Sequence, residues 1–263
     1  MVGGIKMDDL INERCPECGE LLYKKLSVLG VEKLVRVSCS CEQAKEAERI
    51  KLYNEEADRR QMEALKKECY SNNLAFSARS LNSANFQPDY YKALKKYCEN
   101  FEEFKEKKQG LLLYGASGTG KSYAACAVIN ALIEKRYKAK FYSYNYIINY
   151  MTGLLQGKNE FLESLSKFDI IVIDDFACRK HTDFILDLEF DIINAIYENS
   201  TVLIITTNNS LEFFSKPKIL GEKRINSRIL ERCYPINTDA AGNIRNKLIK
   251  CNFEYLNEFF NLS

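Results

Sequence analysis

The run GLLLYGASGTGKS at 110–122 constrains the fold more than any other stretch. An apolar segment, Leu111 to Tyr114, leads into Gly115, four further residues, then Gly120, Lys121 and Ser122. The helix-forming run YAACAVINALIEKR follows. Strand, glycine-rich turn and helix in that order make a phosphate-binding loop. Backbone N–H groups of such a loop wrap phosphate oxygens, and side chains at the glycine positions would block the approach. Lys121 is expected to neutralise the β and γ phosphates of ATP, and the Ser122 hydroxyl to ligate magnesium. Nucleotide contacts are accordingly placed on Gly115, Ala116, Ser117, Gly118, Thr119, Gly120, Lys121, Ser122 and Tyr123.

A magnesium site needs a second acid at the end of a neighbouring buried strand, and FDIIVIDDF supplies it. Asp169 opens that strand, Ile170 to Ile173 bury it, and Asp174 and Asp175 stand at its C-terminal edge. Asp174 is expected to hold magnesium through water, and Asp175 to orient or deprotonate the attacking water. A third buried strand, TVLIITTNN, ends in polar residues, with Asn208 placed to hydrogen-bond the attacking water or the γ-phosphate. Ligands collect at such strand ends in open α/β sheets. Further on, GEKRINSRILERCYPI sets Arg224 and Arg228 four apart, hence on one face of a helix. Arginine suits negative charge developing on a γ-phosphate, often from a neighbouring subunit. Arg245, at the start of a helical segment, is placed to sense the same phosphate within its own chain.

Near the start, RCPECG and VSCSCEQ put Cys15 and Cys18 two residues apart, and Cys39 and Cys41 one apart. Three chemistries are open to such pairs: a redox couple, a disulfide framework and a metal clamp. The redox option calls for a βαβ setting with the motif opening a long helix, and none follows. The N-terminal run MVGGIKMDDLINERC lacks an apolar core of export-signal length, so a reducing, cytoplasmic setting is expected and disulfides are disfavoured. Four soft ligands on two tight turns suit tetrahedral zinc, and Gly19 fits the sharp turn after Cys18. Between the pairs, LLYKKLSVLGVEKLVRVS reads as two short strands turning near Gly30, the shape of a zinc ribbon. The other six cysteines are scattered singly and read as ordinary core or surface residues.

From Glu42 to about Asn73 the chain has no Pro or Gly and pairs acids with bases at helical spacing, as in Glu46–Arg49 and Glu56–Arg60. This is a polar helix with a thin apolar stripe, serving either as a solvated link or as a docking arm. A formal charge of +2 gives no global reason for nucleic-acid binding, so any such binding must come from a local patch. No apolar run approaches the length of a membrane span. His181, the single histidine, reads as a surface loop residue.

Taken together, the phosphate loop, IIVIDDF, TTNN and RINSRILERC resemble the DnaC/IstB branch of the AAA+ ATPases, closest to bacterial and phage DnaC-like replicative helicase loaders. The likeness covers roughly 81–250, and CPEC…CSC is similar to the zinc-binding front module of such loaders. It implies an α/β AAA+ fold, with a central parallel sheet flanked by helices behind a zinc-ribbon-like module and a connecting helix. The expected division is 1–42 for the zinc module, 43–80 for the connector and 81–263 for the ATPase domain. By the same resemblance Arg228 is the arginine finger, Arg224 its companion, Asn208 the first sensor and Arg245 the second. An Asp-Asp acid pair implies slow hydrolysis, suited to a switch. The implied partners are a DnaB-type replicative helicase, single-stranded DNA and further copies of the chain in a hexamer or spiral. Lys158 and residues 179–181 are offered as DNA contacts. The rival readings are an IstB-like transposition helper, a nucleotide-binding adaptor or inhibitor without useful hydrolysis and, last, a nucleotide kinase.

Overall fold

The structure, a computed structural model, describes residues 11–28, 31–70, 77, 79–82, 88–154, 156–178 and 182–246. The chain divides into two compact units, 1–61 and 62–263. In the first, β1 (Tyr23–Val28) and β2 (Val31–Arg36) pair antiparallel, from Tyr23 opposite Arg36 to Val28 opposite Val31. This is the expected ribbon; the turn at Gly30 lies outside the described residues. A bridge between Arg14 and Leu21 closes the first cysteine turn below the ribbon.

The polar run after the ribbon forms helix α1 (Ser40–Tyr70). Two of its expected ion pairs are present, Arg49 to Glu46 at 2.8 Å and Arg60 to Glu56 at 2.7 Å. Ile50, Leu52 and Tyr53 remain exposed, as a thin stripe predicts, while Cys69 and Tyr70 in the last turn are buried.

The second unit opens with α2 (Tyr90–Glu99) and α3 (Phe101–Glu106). The chain breaks between these two helices at Asn100, with φ −108° and ψ 25°. The Asn100 amide donates to the Lys96 carbonyl at 2.8 Å, a local bond that competes with helix propagation.

There follow β3 (Gly110–Tyr114), α4 (Lys121–Glu134), β4 (Ala139–Ser143), α5 (Tyr144–Gly153), α6 (Lys158–Ser164) and β5 (Ile170–Asp174). The remaining elements are α7 (Asp183–Glu198), β6 (Val202–Thr207), α8 (Leu211–Ser215), α9 (Leu220–Arg232) and β7 (Cys233–Asn237). The five strands pair in parallel in the order β4-β5-β6-β3-β7.

Alternation along each strand sorts side chains to two buried faces, and strands apolar on both faces mark a sheet covered on both sides. Leu111, Leu113, Ile170, Val172, Val202 and Ile204 pack on the side of α2 and α4. Leu112, Ile171, Ile173, Leu203 and Ile205 pack on the side of α5, α7 and α9. Among the described residues, no helix is long and apolar enough to cross a membrane.

Candidate nucleotide and metal sites

Strand order builds the first site. Because β6 lies between β3 and β5, the C-terminal ends of three neighbouring strands meet at one edge, where open α/β sheets hold their ligands. Register sharpens this: Tyr114 pairs with Thr207, and Ile173 pairs with Ile205. Asp174 therefore stands level with Thr206, separated from the phosphate loop by the one intervening strand β6.

The loop joins β3 to α4 with Gly115, Gly118 and Gly120 all at positive φ. Gly120, at φ +90°, is the residue before the first helical turn, so α4 aims its N-terminal amides into the loop. At Gly115 a β-carbon would stand 2.6 Å from Asp239 Oδ1, so only glycine fits. Lys121 is buried, and its ammonium donates to the carbonyls of Gly115 and Ala116 at 2.8 and 2.7 Å. Burial lowers its pKa, and the nearby carboxylates of Asp175, Asp239 and Asp174 oppose that shift.

Asp174 is buried at the end of β5. Burial raises its pKa, and hydrogen bonds from the Thr206 and Ser122 hydroxyls pull it back down. Ser122 and Asp174, which sequence spacing placed at one magnesium site, are thus side by side. Asp175 is exposed, with its backbone at φ +57°. Asn208 is exposed immediately beyond β6. Tyr123 turns away from the loop, donating to the Ser80 carbonyl at 3.3 Å beneath the Arg79 guanidinium.

A second segment reaches the loop from the far end of the chain. Asp239 Oδ1 accepts from the Ala116 N–H at 2.6 Å, and the Thr119 and Thr238 hydroxyls lie 2.7 Å apart. The Ile244 and Arg245 N–H groups donate to the Gly118 carbonyl at 2.9 and 3.3 Å. Arg245 is therefore at the phosphate loop, and its charge is close enough to depress the pKa of Lys121 further. The helix expected beyond it lies outside the described residues.

Arg224 and Arg228 contact α7 instead of the loop. Arg224 lies 3.9 Å over the Phe190 ring; Arg228 lies 4.8 Å over the same ring and 5.6 Å over Tyr197. Arg228 Nε also donates to Asn194 Oδ1 at 3.0 Å. Lys158 sits 5.7 Å over Phe184. Residues 179–181, His181 included, lie outside the described residues.

Sequence reasoning missed Thr206, Thr238 and Asp239. The signal available for Thr206 was a pair of threonines at the end of an otherwise aliphatic strand; Thr238 and Asp239 carried none, being more than a hundred positions from their partners.

The second site is the cysteine cluster. One ligand sulfur from each of Cys15, Cys18, Cys39 and Cys41 lies within 4.8 Å of the others. Cys41 Sγ is 3.3 Å from Cys15 Sγ and 3.2 Å from Cys39 Sγ, and all four cysteines are free thiols. Four sulfurs at about 2.3 Å from one zinc stand about 3.8 Å apart in a tetrahedron, so the set fits that ion. Backbone N–H groups of Cys18 and Glu17 stabilise the Cys15 thiolate, lowering its pKa to about 6. Cys41, crowded first by Cys39 and then by Cys15, is pushed the other way. A dication among the sulfurs would relieve that crowding. Glu20 supports the arrangement by accepting from the Ser40 N–H at 2.7 Å, tying the first turn to the second.

A parallel sheet with a phosphate loop, a buried acid across one intervening strand and polar strand ends between them defines a nucleotide-binding α/β protein of the AAA+ type. The chain belongs to the family of IstB-like ATP binding proteins, whose model matches residues 30–237. It is similar to the chromosomal replication initiator protein DnaA of Geotalea daltonii, 31% identical over 122 residues, 45% of this chain and 26% of that protein. It thus spans about a quarter of that relative's length. Among solved structures, a DnaC helicase loader aligns with TM-score 0.55 and 24% identity over 62% of this chain and 98% of that one. A DnaI structure aligns with TM-score 0.54 and 21% identity, covering 62% and 92%. At these identities the structural likeness speaks for the fold.

Proposed function

We propose that this chain is an ATP-dependent loader that places a DnaB-type replicative helicase on single-stranded DNA, acting as an oligomeric nucleotide switch. The observation that carries the proposal is the joining, in one IstB-like chain, of a nucleotide edge and a separate four-cysteine cluster. Residues 81–263 serve as the ATPase domain, 43–80 as connector and 1–42 as the zinc-bound grip on the helicase, and the protein works in the cytoplasm. The resemblance to DnaC-like loaders supports this assignment, and the DnaC helicase loader shares the fold.

At the nucleotide edge the loop amides and Lys121 hold the phosphates, Ser122 and Asp174 would hold magnesium, and Arg245 faces the same phosphates from its own chain. Magnesium, when bound, would offset charge on the β and γ oxygens. Asp175 and Asn208 orient the attacking water. Arg228, bedded on Phe190 and Tyr197, is presented to the nucleotide of a neighbouring subunit, with Arg224 beside it. An arginine held by aromatic rings and one amide loses little freedom on reaching a phosphate, which favours a role in trans. Hydrolysis is slow and rises with single-stranded DNA, whose contacts include Lys158.

The test is steady-state ATP turnover of the Lys121→Ala and Arg228→Ala proteins. Each is expected to lose on the order of a hundredfold or more in turnover. Lys121→Ala also loses nucleotide binding, whereas Arg228→Ala keeps it. Undiminished turnover in either protein rules out a site shared between subunits.

A second reading is favoured by the family match itself, which is described as IstB-like: a helper ATPase for a transposase. Capture of a replicative helicase by the full chain separates the two, since a transposition helper has no use for that partner. An adaptor without useful hydrolysis would show nucleotide binding with no turnover at any DNA concentration.

A further inference from the structure

Thr206 has no role in the reading above, yet it touches both members of the acid pair. Its side chain is fully buried at the end of β6. The Thr206 hydroxyl donates to Asp174 Oδ1 at 2.5 Å, and the Thr206 Oγ1 accepts from the Asp175 N–H at 2.9 Å. A hydroxyl carries one hydrogen. With the Asp175 N–H pointing at the oxygen, that hydrogen is directed to the carboxylate, so Asp174 is an acceptor there.

The backbone around the pair is also held from β6. Asp175 and Ala177 both sit at φ +57°, in the left-handed region that non-glycine residues seldom adopt. Phe176 N–H donates to the Thr206 carbonyl at 2.8 Å, and the Thr207 hydroxyl donates to the Phe176 carbonyl at 3.0 Å. Two adjacent threonines thus grip the turn that presents Asp175, and the next residue along is Asn208.

We propose that Thr206 is a positioning residue for the nucleotide site: its hydroxyl sets the orientation of the Asp174 carboxylate and anchors the strained turn carrying Asp175. The inference rests on the reading of Asp174 as the acid that would hold magnesium. Groups that orient a metal's ligands affect affinity almost as the ligands do. Valine at this position keeps the shape and drops the hydroxyl, whereas serine keeps the hydroxyl and drops the methyl.

The experiment measures binding of a fluorescent ATP analogue to the full chain, first in EDTA and then across a magnesium titration. Thr206→Val is expected to bind the analogue normally in EDTA and to need about tenfold more magnesium for half of the affinity gain. Thr206→Ser should titrate close to the unaltered protein. Asp174→Asn should lose the magnesium response, and adding Thr206→Val to it should change nothing further.

A normal magnesium titration for Thr206→Val overturns the proposal. So does a Thr206→Ser protein as impaired as the valine variant, since packing of the methyl would then be the cause. If Thr206→Val does not fold, Thr206→Ala replaces it in the same comparison with serine. A normal titration for Asp174→Asn overturns the magnesium reading of the site instead, which keeps the two failures apart.

Discussion

In the sheet unit Leu112, Leu113, Ile204 and Ile205 are entirely removed from water, each between packed helices and neighbouring strands. In the front unit the buried cluster is Cys15, Leu22 and Cys39, two of them thiols. Its ribbon leaves Leu26 and Val31 about half exposed. One unit is held by apolar burial on two faces of a five-stranded sheet. Among its described residues the other buries little apolar surface while four sulfurs converge, so its folding is expected to depend on a bound metal. Perturbations of metal and of core packing should therefore act on different parts of the molecule.

Removing metal is expected to have the largest effect. A strong chelator withdraws binding energy of about 10 kcal/mol or more from a structural zinc site, enough to unfold a module of this size. Amide hydrogen exchange should show β1 and β2 losing protection while β3, β5 and β6 keep theirs. Loss of protection in both units together would break the proposed independence. A single Cys18→Ser change should act the same way but less completely, leaving weak three-ligand binding that excess zinc restores.

A cavity in the sheet is the converse test. Ile204→Ala should cost about 2–5 kcal/mol and lower the melting temperature of the sheet unit by roughly 5–15 °C. Zinc content, measured by a thiol-sensitive metal indicator, should stay the same. The smallest effect is expected at Glu56→Gln, which removes the Arg60 ion pair from an exposed helix face. Melting should shift by no more than about 1 °C there, because solvent screens such pairs. A larger shift would mean that this part of α1 contributes more than a link.

The same contrast explains what could be read from sequence. The phosphate loop was legible because its donors, cation and hydroxyl lie within eight consecutive residues whose spacing is set by the chemistry. The cysteine pairs were legible for a similar reason: two tight turns each deliver two ligands. Thr206 was not, because its partners, Asp174 at the end of β5 and Asp175 in the turn after it, meet it only through the register of β5 and β6. Asp239 was hidden more deeply, since its hydrogen bond to Ala116 spans 123 positions. The break between α2 and α3 turned on one asparagine amide choosing a nearby carbonyl. Arg224 and Arg228 were found as a helical pair, but their aromatic bed comes from α7, far away in sequence.

In the proposed loader, the nucleotide edge and the cysteine module act together to deliver a helicase to DNA. The most direct measurement is helicase loading on a protein-coated single-stranded circle, scored by unwinding of an annealed strand. The unaltered chain with zinc and ATP should support unwinding. Lys121→Ala and the chelated protein should each fail, the first still capturing the helicase and the second not. Unwinding that is indifferent to this chain, or equal with Lys121→Ala, would contradict the account.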